Sequence, residues 1–166
     1  MLRYLEEHFA SQRAKLRVVT EMLRLGLRVD AKGGIFCGGI ELAPAKVARA
    51  LTVDRRVVIE TAHEIAADDT LSRIFSSLTP TANVSRAAKL LGHDVIEIDA
   101  VDPASVGVVA KVSGVLAKHN VKIRQIIADD PELYPEPKMH IVVDGKLSQK
   151  AAAALRSLGL QSVSFK

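Results

Sequence analysis

The sequence contains no tryptophan, and two tyrosines with four phenylalanines bring aromatics to only 4% of its 166 residues. Any core built from it must be aliphatic, made of Val, Ile, Leu and Ala. A single cysteine, Cys37, excludes an internal disulfide, and a reducing cytoplasm is then the simplest compartment. No run of eighteen apolar residues occurs, so no membrane span is expected. The opening MLRYLEEHFASQRAK has early acidic residues and no long apolar stretch, which argues against a secretory leader. What is present is a hydrophobic share of 48%, typical of a globular chain and too high for a disordered one.

Constellations for chemistry are also missing. The five histidines, His8, His63, His93, His119 and His140, are scattered without metal-ligand spacing, and His63-Glu64 lacks the second histidine of a zinc helix. Cys37 lies in an apolar, glycine-rich stretch with no basic neighbour, the setting of a buried inert thiol. Gly33-Gly34 and Gly38-Gly39 lack the Lys-Ser/Thr ending of a phosphate loop. Asp129, Asp130, Glu132 and Glu136 beside Tyr134 have the oxygens to bind a cation, but read first as a solvated loop. No enzyme, resident metal or cofactor is expected.

The net charge of +4 is unevenly spread. Residues 1–90 carry 14 Lys and Arg against 10 Asp and Glu, and residues 91–166 carry 9 of each. The first half therefore holds the whole surplus, a mild pointer to an anionic partner.

Along the chain, residues 1–26 show helical spacing through Leu16, Val19, Met22 and Leu23, with Gly26 as a stop. Leu27 to Cys37 reads as a short hairpin about Lys32-Gly33-Gly34, broken again at Gly38-Gly39. Pro44 opens a helix to Leu51, and Asp54 caps a second from Arg55 to Ala67. A further short helix follows through Phe75, then a linker around Pro80 and a connecting helix over 84–92. The remainder reads strand (Val95–Val101), helix (Ser105–His119), strand (Val121–Ala128), strand (Met139–Val143), helix (Gln149–Leu158), strand (Leu160–Phe165). The first of these helices should bury Val108, Val109, Val112, Val115 and Leu116. This βαββαβ order predicts a ferredoxin-like, four-stranded antiparallel sheet with both helices on one face. The other face is left open, and self-association is its simplest cover. The expected fold class is α+β, in three segments: 1–83, 84–92 and 93–166.

Three stretches, 95–102, 106–112 and 115–123, make the second half resemble the ACT domain, a ligand-binding regulatory module of amino-acid metabolism. Gly107 takes the place of the family's turn glycine. Two departures are an insertion of about two residues between Asp102 and Gly107, and Lys122 where asparagine is common. The resemblance implies a ligand held where two modules meet. Asp102, Val106, Gly107 and Val108 would contribute from one copy, and Asn120, Val121, Lys122 and Ile123 from its neighbour. A helix N-terminus with unpaired N–H groups suits a carboxylate.

Residues 41–61 resemble a helix-turn-helix, with Arg55 and Arg56 opening the recognition helix and Lys46 and Arg49 near the phosphates. Thr52 departs from the usual turn glycine. With Ile74–Leu78 and Ala88–Gly92, the whole chain resembles a group of archaeal ACT-containing regulators of amino-acid metabolism. That implies a cytoplasmic homo-oligomer binding an amino acid or related metabolite and acting on double-stranded DNA, or alternatively on a protein partner without DNA.

Overall fold

The computed structural model describes residues 2–99, 106–160 and 162–165. The chain is of mixed α and β type, with two antiparallel sheets, and divides into two compact units, 1–81 and 82–166.

The first unit begins with two helices, α1 (Leu2–His8) and α2 (Arg13–Arg24), where the spacing predicts one. Phe9 and Leu5 are fully buried, as are Val18 and Met22. On one continuous helix Val18 and Met22 would lie roughly half a turn of the wheel, about 180–220°, away from Phe9. A straight rod cannot bury both sets, so the chain breaks over 9–12. The stop at Gly26 is real and doubly determined. Its φ is +62°, and a Cβ there would stand 2.6 Å from the Thr79 carbonyl oxygen.

Strands β1 (Arg28–Val29) and β2 (Ile35–Cys37) form the expected hairpin. Asp30 closes its turn by accepting from the Lys32 and Gly34 N–H groups at 2.9 and 2.8 Å. Those two bonds, Gly34 first, hold the Asp30 carboxyl below its ordinary value. Gly38-Gly39 is not a break but a second turn. It leads into β3 (Ile40–Glu41), which pairs with β2, so the hairpin is a three-stranded sheet.

Helices α3 (Pro44–Leu51), α4 (Arg55–Ala67) and α5 (Asp69–Ser76) complete the unit. Each later start has a carboxylate cap. Asp54 accepts from Arg56 N–H at 2.7 Å, and Asp68 accepts from Thr70 and Leu71 N–H at 2.9 and 2.8 Å. Val58, Ile65, Leu71 and Phe75 are fully buried, as are Met22 and Ile35. Buried Thr61 is satisfied by donating to the Val57 carbonyl at 2.7 Å.

The second unit begins with α6 (Ser85–Ala88), which tightens into a 3-10 turn over Lys89–Leu91. Then come β4 (Val95–Asp99), α7 (Val108–Lys118), β5 (Ile123–Ala128), β6 (Lys138–Val143), α8 (Gln149–Arg156) and β7 (Ser162–Phe165). The sheet order is β5-β6-β4-β7, with every neighbouring pair antiparallel. On one face Ile96, Ile98, Met139, Ile141 and Val143 meet Val112 and Leu116 of α7 and Leu155 of α8. Val109 is a correction: it is 44% exposed, while Val108 is buried and Val115 partly so. α7 also starts later than the spacing suggests. Gly107 stands immediately before it at φ +88°, a left-handed conformation that a right-handed helix cannot include. Ser105 and the predicted strand end at 100–101 lie outside the described residues.

The opposite face is not left open as expected. Ala88 is buried there against Val95 and Val142. The Gln125 amide ties the approach to α6 down onto β5, donating to the Ala82 carbonyl at 2.7 Å and accepting from Val84 N–H at 3.1 Å. Residues 82–91 thus belong to the second unit, and this changes the charge distribution. Residues 1–81 carry 12 Lys and Arg against 10 Asp and Glu, and residues 82–166 carry 11 against 9. Arg86 and Lys89 move the balance, so each unit holds a surplus of two.

Candidate functional sites

Of the residues implied as ligand contacts, Val106, Gly107 and Val108 stand at the start of α7, and Asn120, Val121, Lys122 and Ile123 follow its end. Eleven residues of helix separate the groups by about 16 Å. The sheet separates them too: β4 ends at Asp99 opposite Lys138, and β5 begins at Ile123 opposite Val143, the other end of β6. Within one copy they do not meet. Gly107 has open space where a Cβ would sit, and Val106 beside it is fully exposed. Asn120 takes the left-handed conformation, φ 54°. The Lys122 side chain is exposed, while its carbonyl accepts from Asp144 N–H at 2.8 Å. Asp102 lies outside the described residues.

The implied DNA contacts stand on α3 and α4. Val47, Ala48 and Val58 are buried, with Leu51 and Val53 half-buried. The turn is closed by Val53 N–H donating to the Ala48 carbonyl at 3.0 Å, and Thr52 takes the left-handed conformation there, φ 53°. Lys46, Arg49, Arg55 and Arg56 are all exposed, and none of their side chains has an ion-pair or hydrogen-bond partner among the described residues.

A third feature was missed by the sequence reading. On the α6 side of the second sheet lies a cavity of about 580 Å³. Alternation places Glu97 of β4 opposite His140 of β6, and Asp99 opposite Lys138, all on this face. The Lys138 ammonium donates to Glu97 at 2.9 Å and stands 3.2 Å from Asp99. These contacts, Glu97 first, raise the Lys138 pKa above its ordinary value. Glu97 is only 7% exposed, with His140 Nδ1 3.8 Å from its second oxygen. Asn83, Ser85 and Arg86 at and before α6, with Asp129 and Tyr134 of the loop before β6, form the remaining polar lining. A signal for this site was present: ionisable residues at i, i+2 in two strands, Glu97/Asp99 and Lys138/His140, whose phases match only if the strands pair in this register.

In the first unit a smaller groove of about 380 Å³ is lined almost wholly by apolar side chains, among them Leu25, Leu42 and Leu51. Cys37 lines it and is half-buried rather than buried. Among the described residues no three His, Cys, Asp or Glu side chains are grouped to hold a metal ion, and no helix is long and apolar enough to cross a membrane. In the acidic loop, Asp130 accepts from Glu132 N–H at 2.9 Å and Asp129 from Lys138 N–H at 3.1 Å, so both carboxylates help shape the loop.

Compared with protein-family models, curated proteins and solved structures, the chain matches none of them. Its class therefore rests on its own architecture: a mixed α and β chain of two units, each with its own buried core.

Proposed function

We propose that the protein is a metabolite-sensing regulator of amino-acid metabolism. Its second unit is a ferredoxin-like module of the ACT kind that binds an amino acid or related metabolite between copies. Its first unit is a helix-turn-helix that docks on double-stranded DNA. The observation that carries this reading is the strand order β5-β6-β4-β7 with α7 and α8 on one face, the arrangement of two split βαβ units. The separation of Gly107 from Asn120–Ile123 supports a pocket completed by a second copy. For the first unit, support comes from the three-residue turn between α3 and α4 and from four exposed, unpartnered cations. A ligand at the seam would act by favouring one arrangement of the assembled copies over another, and so the half-site spacing their first units can match.

The test is fluorescence anisotropy with mixed-sequence duplex DNA, alongside light scattering for subunit number. Binding should weaken steeply between about 50 and 200 mM salt. The double change Arg55→Ala/Arg56→Ala should lower affinity about tenfold or more and flatten the salt slope by about two. A chain that stays monomeric at every concentration would remove the seam. Wild-type binding unchanged by the arginine substitutions would remove the helix-turn-helix assignment.

A further inference from the structure

The cavity beneath α6 lies on the sheet face opposite α7 and is complete within one copy, so it is distinct from a pocket between copies. We infer that it is a second binding site, for a short extended zwitterion whose carboxylate and ammonium stand several bonds apart, of the dipeptide or ω-amino-acid kind.

Charge pairing across the cavity selects this chemistry. On the floor, Lys138 is matched by Glu97 and Asp99 at 2.9 and 3.2 Å. On the walls the charges are not matched. The Arg86 side chain is exposed and has no ion-pair or hydrogen-bond partner among the described residues. The half-buried Asp129 carboxylate accepts one backbone N–H, from Lys138, and among the described residues faces no cation within 4.0 Å. Both side chains line the same cavity, yet they do not pair with each other. A guanidinium and a carboxylate that line one polar cavity without pairing with each other are complementary to a ligand bearing both opposite charges. Arg86 supplies a planar fork for a carboxylate, and Asp129 an acceptor for an ammonium.

Size selects within that class. A sphere of this volume is about 10 Å across and falls within the range of metabolite sites. An α-amino acid with its charges on adjacent carbons would leave most of this volume empty. A dipeptide or an ω-amino acid separates them and fills more of the space. Glu97, bonded to Lys138, and Tyr134 line the same space.

Titration of the full-length protein with δ-aminovalerate and with alanyl-alanine, followed by backbone amide NMR shifts, tests the site. Saturable shifts are expected at residues 86, 97, 129, 138 and 140, at one ligand per chain and independent of protein concentration. Arg86→Gln should weaken binding about tenfold or more. Asp129→Asn should do the same, and it keeps the acceptor for Lys138 N–H while removing only the charge. Valerate, pentylamine and free alanine should each bind about tenfold more weakly or not at all. Equal binding by valerate or pentylamine, or no shift at these residues with either zwitterion, would overturn the assignment. So would wild-type affinity in both charge-neutralising variants with native spectra.

Discussion

The two units carry the same surplus of positive charge, but the cations around the second sheet and those of the α3–α4 pair are satisfied differently. In the second, Lys138 is bound to Glu97 and Asp99, Lys146 to Asp94 at 2.8 Å, and Arg124 to Asp144 at 3.0 Å. In the α3–α4 pair of the first unit, Lys46, Arg49, Arg55 and Arg56 have no side-chain partner among the described residues. Paired cations around a buried carboxylate build a fixed, charged floor. Unpaired cations on the α3–α4 pair are the ones that duplex DNA would neutralise under the proposed function. Net charge alone does not distinguish the two cases; how each charge is satisfied does.

The largest effect that sharpens this comparison is expected in the second unit's core. Leu116→Ala should cost about 3 kcal/mol, read from the shift of the urea midpoint at unchanged slope, because Leu116 is fully buried between the sheet and α7. Lys46→Ala in the first unit should change stability by less than about 0.5 kcal/mol, since its side chain holds nothing. A large loss there would show that α3 depends on Lys46 for its fold and weaken the case that it awaits a partner.

Smaller effects come from the turn joining α3 to α4. Thr52→Gly should stabilise the first unit by about 1 kcal/mol, because a non-glycine residue at φ 53° carries left-handed strain. The α5 cap runs the other way. Asp68→Ala, which leaves Thr70 and Leu71 N–H without their acceptor, should cost about 1 kcal/mol. Both are measurable by thermal denaturation, and a loss on Thr52→Gly would mean that the hydroxyl or methyl holds the turn by contacts that outweigh the strain.

The smallest effects concern pH. Asp30 in the first unit is held below the ordinary carboxyl value by backbone N–H groups. Asp94 in the second is pushed up by burial, but its bonds to Lys146 and then Leu147 N–H outweigh that and leave it lowered. A lowered acid contributes stability that is present above the ordinary value of 3.8 and lost as pH falls through the folded-state value. Both units should therefore lose stability in acid. Lys138 is raised, so its contribution is present below the ordinary value of 10.5 and lost as pH rises through the higher folded-state value. Alkaline loss from this source belongs to the second unit alone. Lys138→Met should remove that alkaline component from pH-dependent unfolding curves; an unchanged alkaline limb would assign it elsewhere.

Much of the fold is legible locally. Asp54 and Asp68 are caps at the positions their chemistry suggests, Pro44 opens α3, and Gly26, Gly92 and Asn120 end their elements with positive φ. The strands of the second sheet follow the apolar alternation that marks them. The break over 9–12 was hidden because each half of the stretch is helical by itself, and only the need to bury Phe9 and Met22 together decides against one rod. β3 was hidden because two residues carry no period.

The cavity was the least legible part of the sites. Glu97 and Asp99 read as a charged strand face, which usually means solvent, and Arg86 read as part of a connector. The charges of residues 84–92 were therefore counted with the first half. Only the folding of α6 onto Val95 and Val142 turns that face into a walled space.

By itself, then, the sequence determined most of the elements, their caps and the aliphatic make-up of the core, because these depend on propensity, periodicity and hydrogen bonds within a few residues. Tertiary structure alone decided which face of the second sheet α6 covers and which side chains surround Glu97. Those outcomes depend on strand register and on contacts between residues some forty positions apart, such as Glu97 with Lys138 and Gln125 with Ala82. No local pattern encodes a pairing at that separation; it is settled only when burying one apolar face forces the other into place.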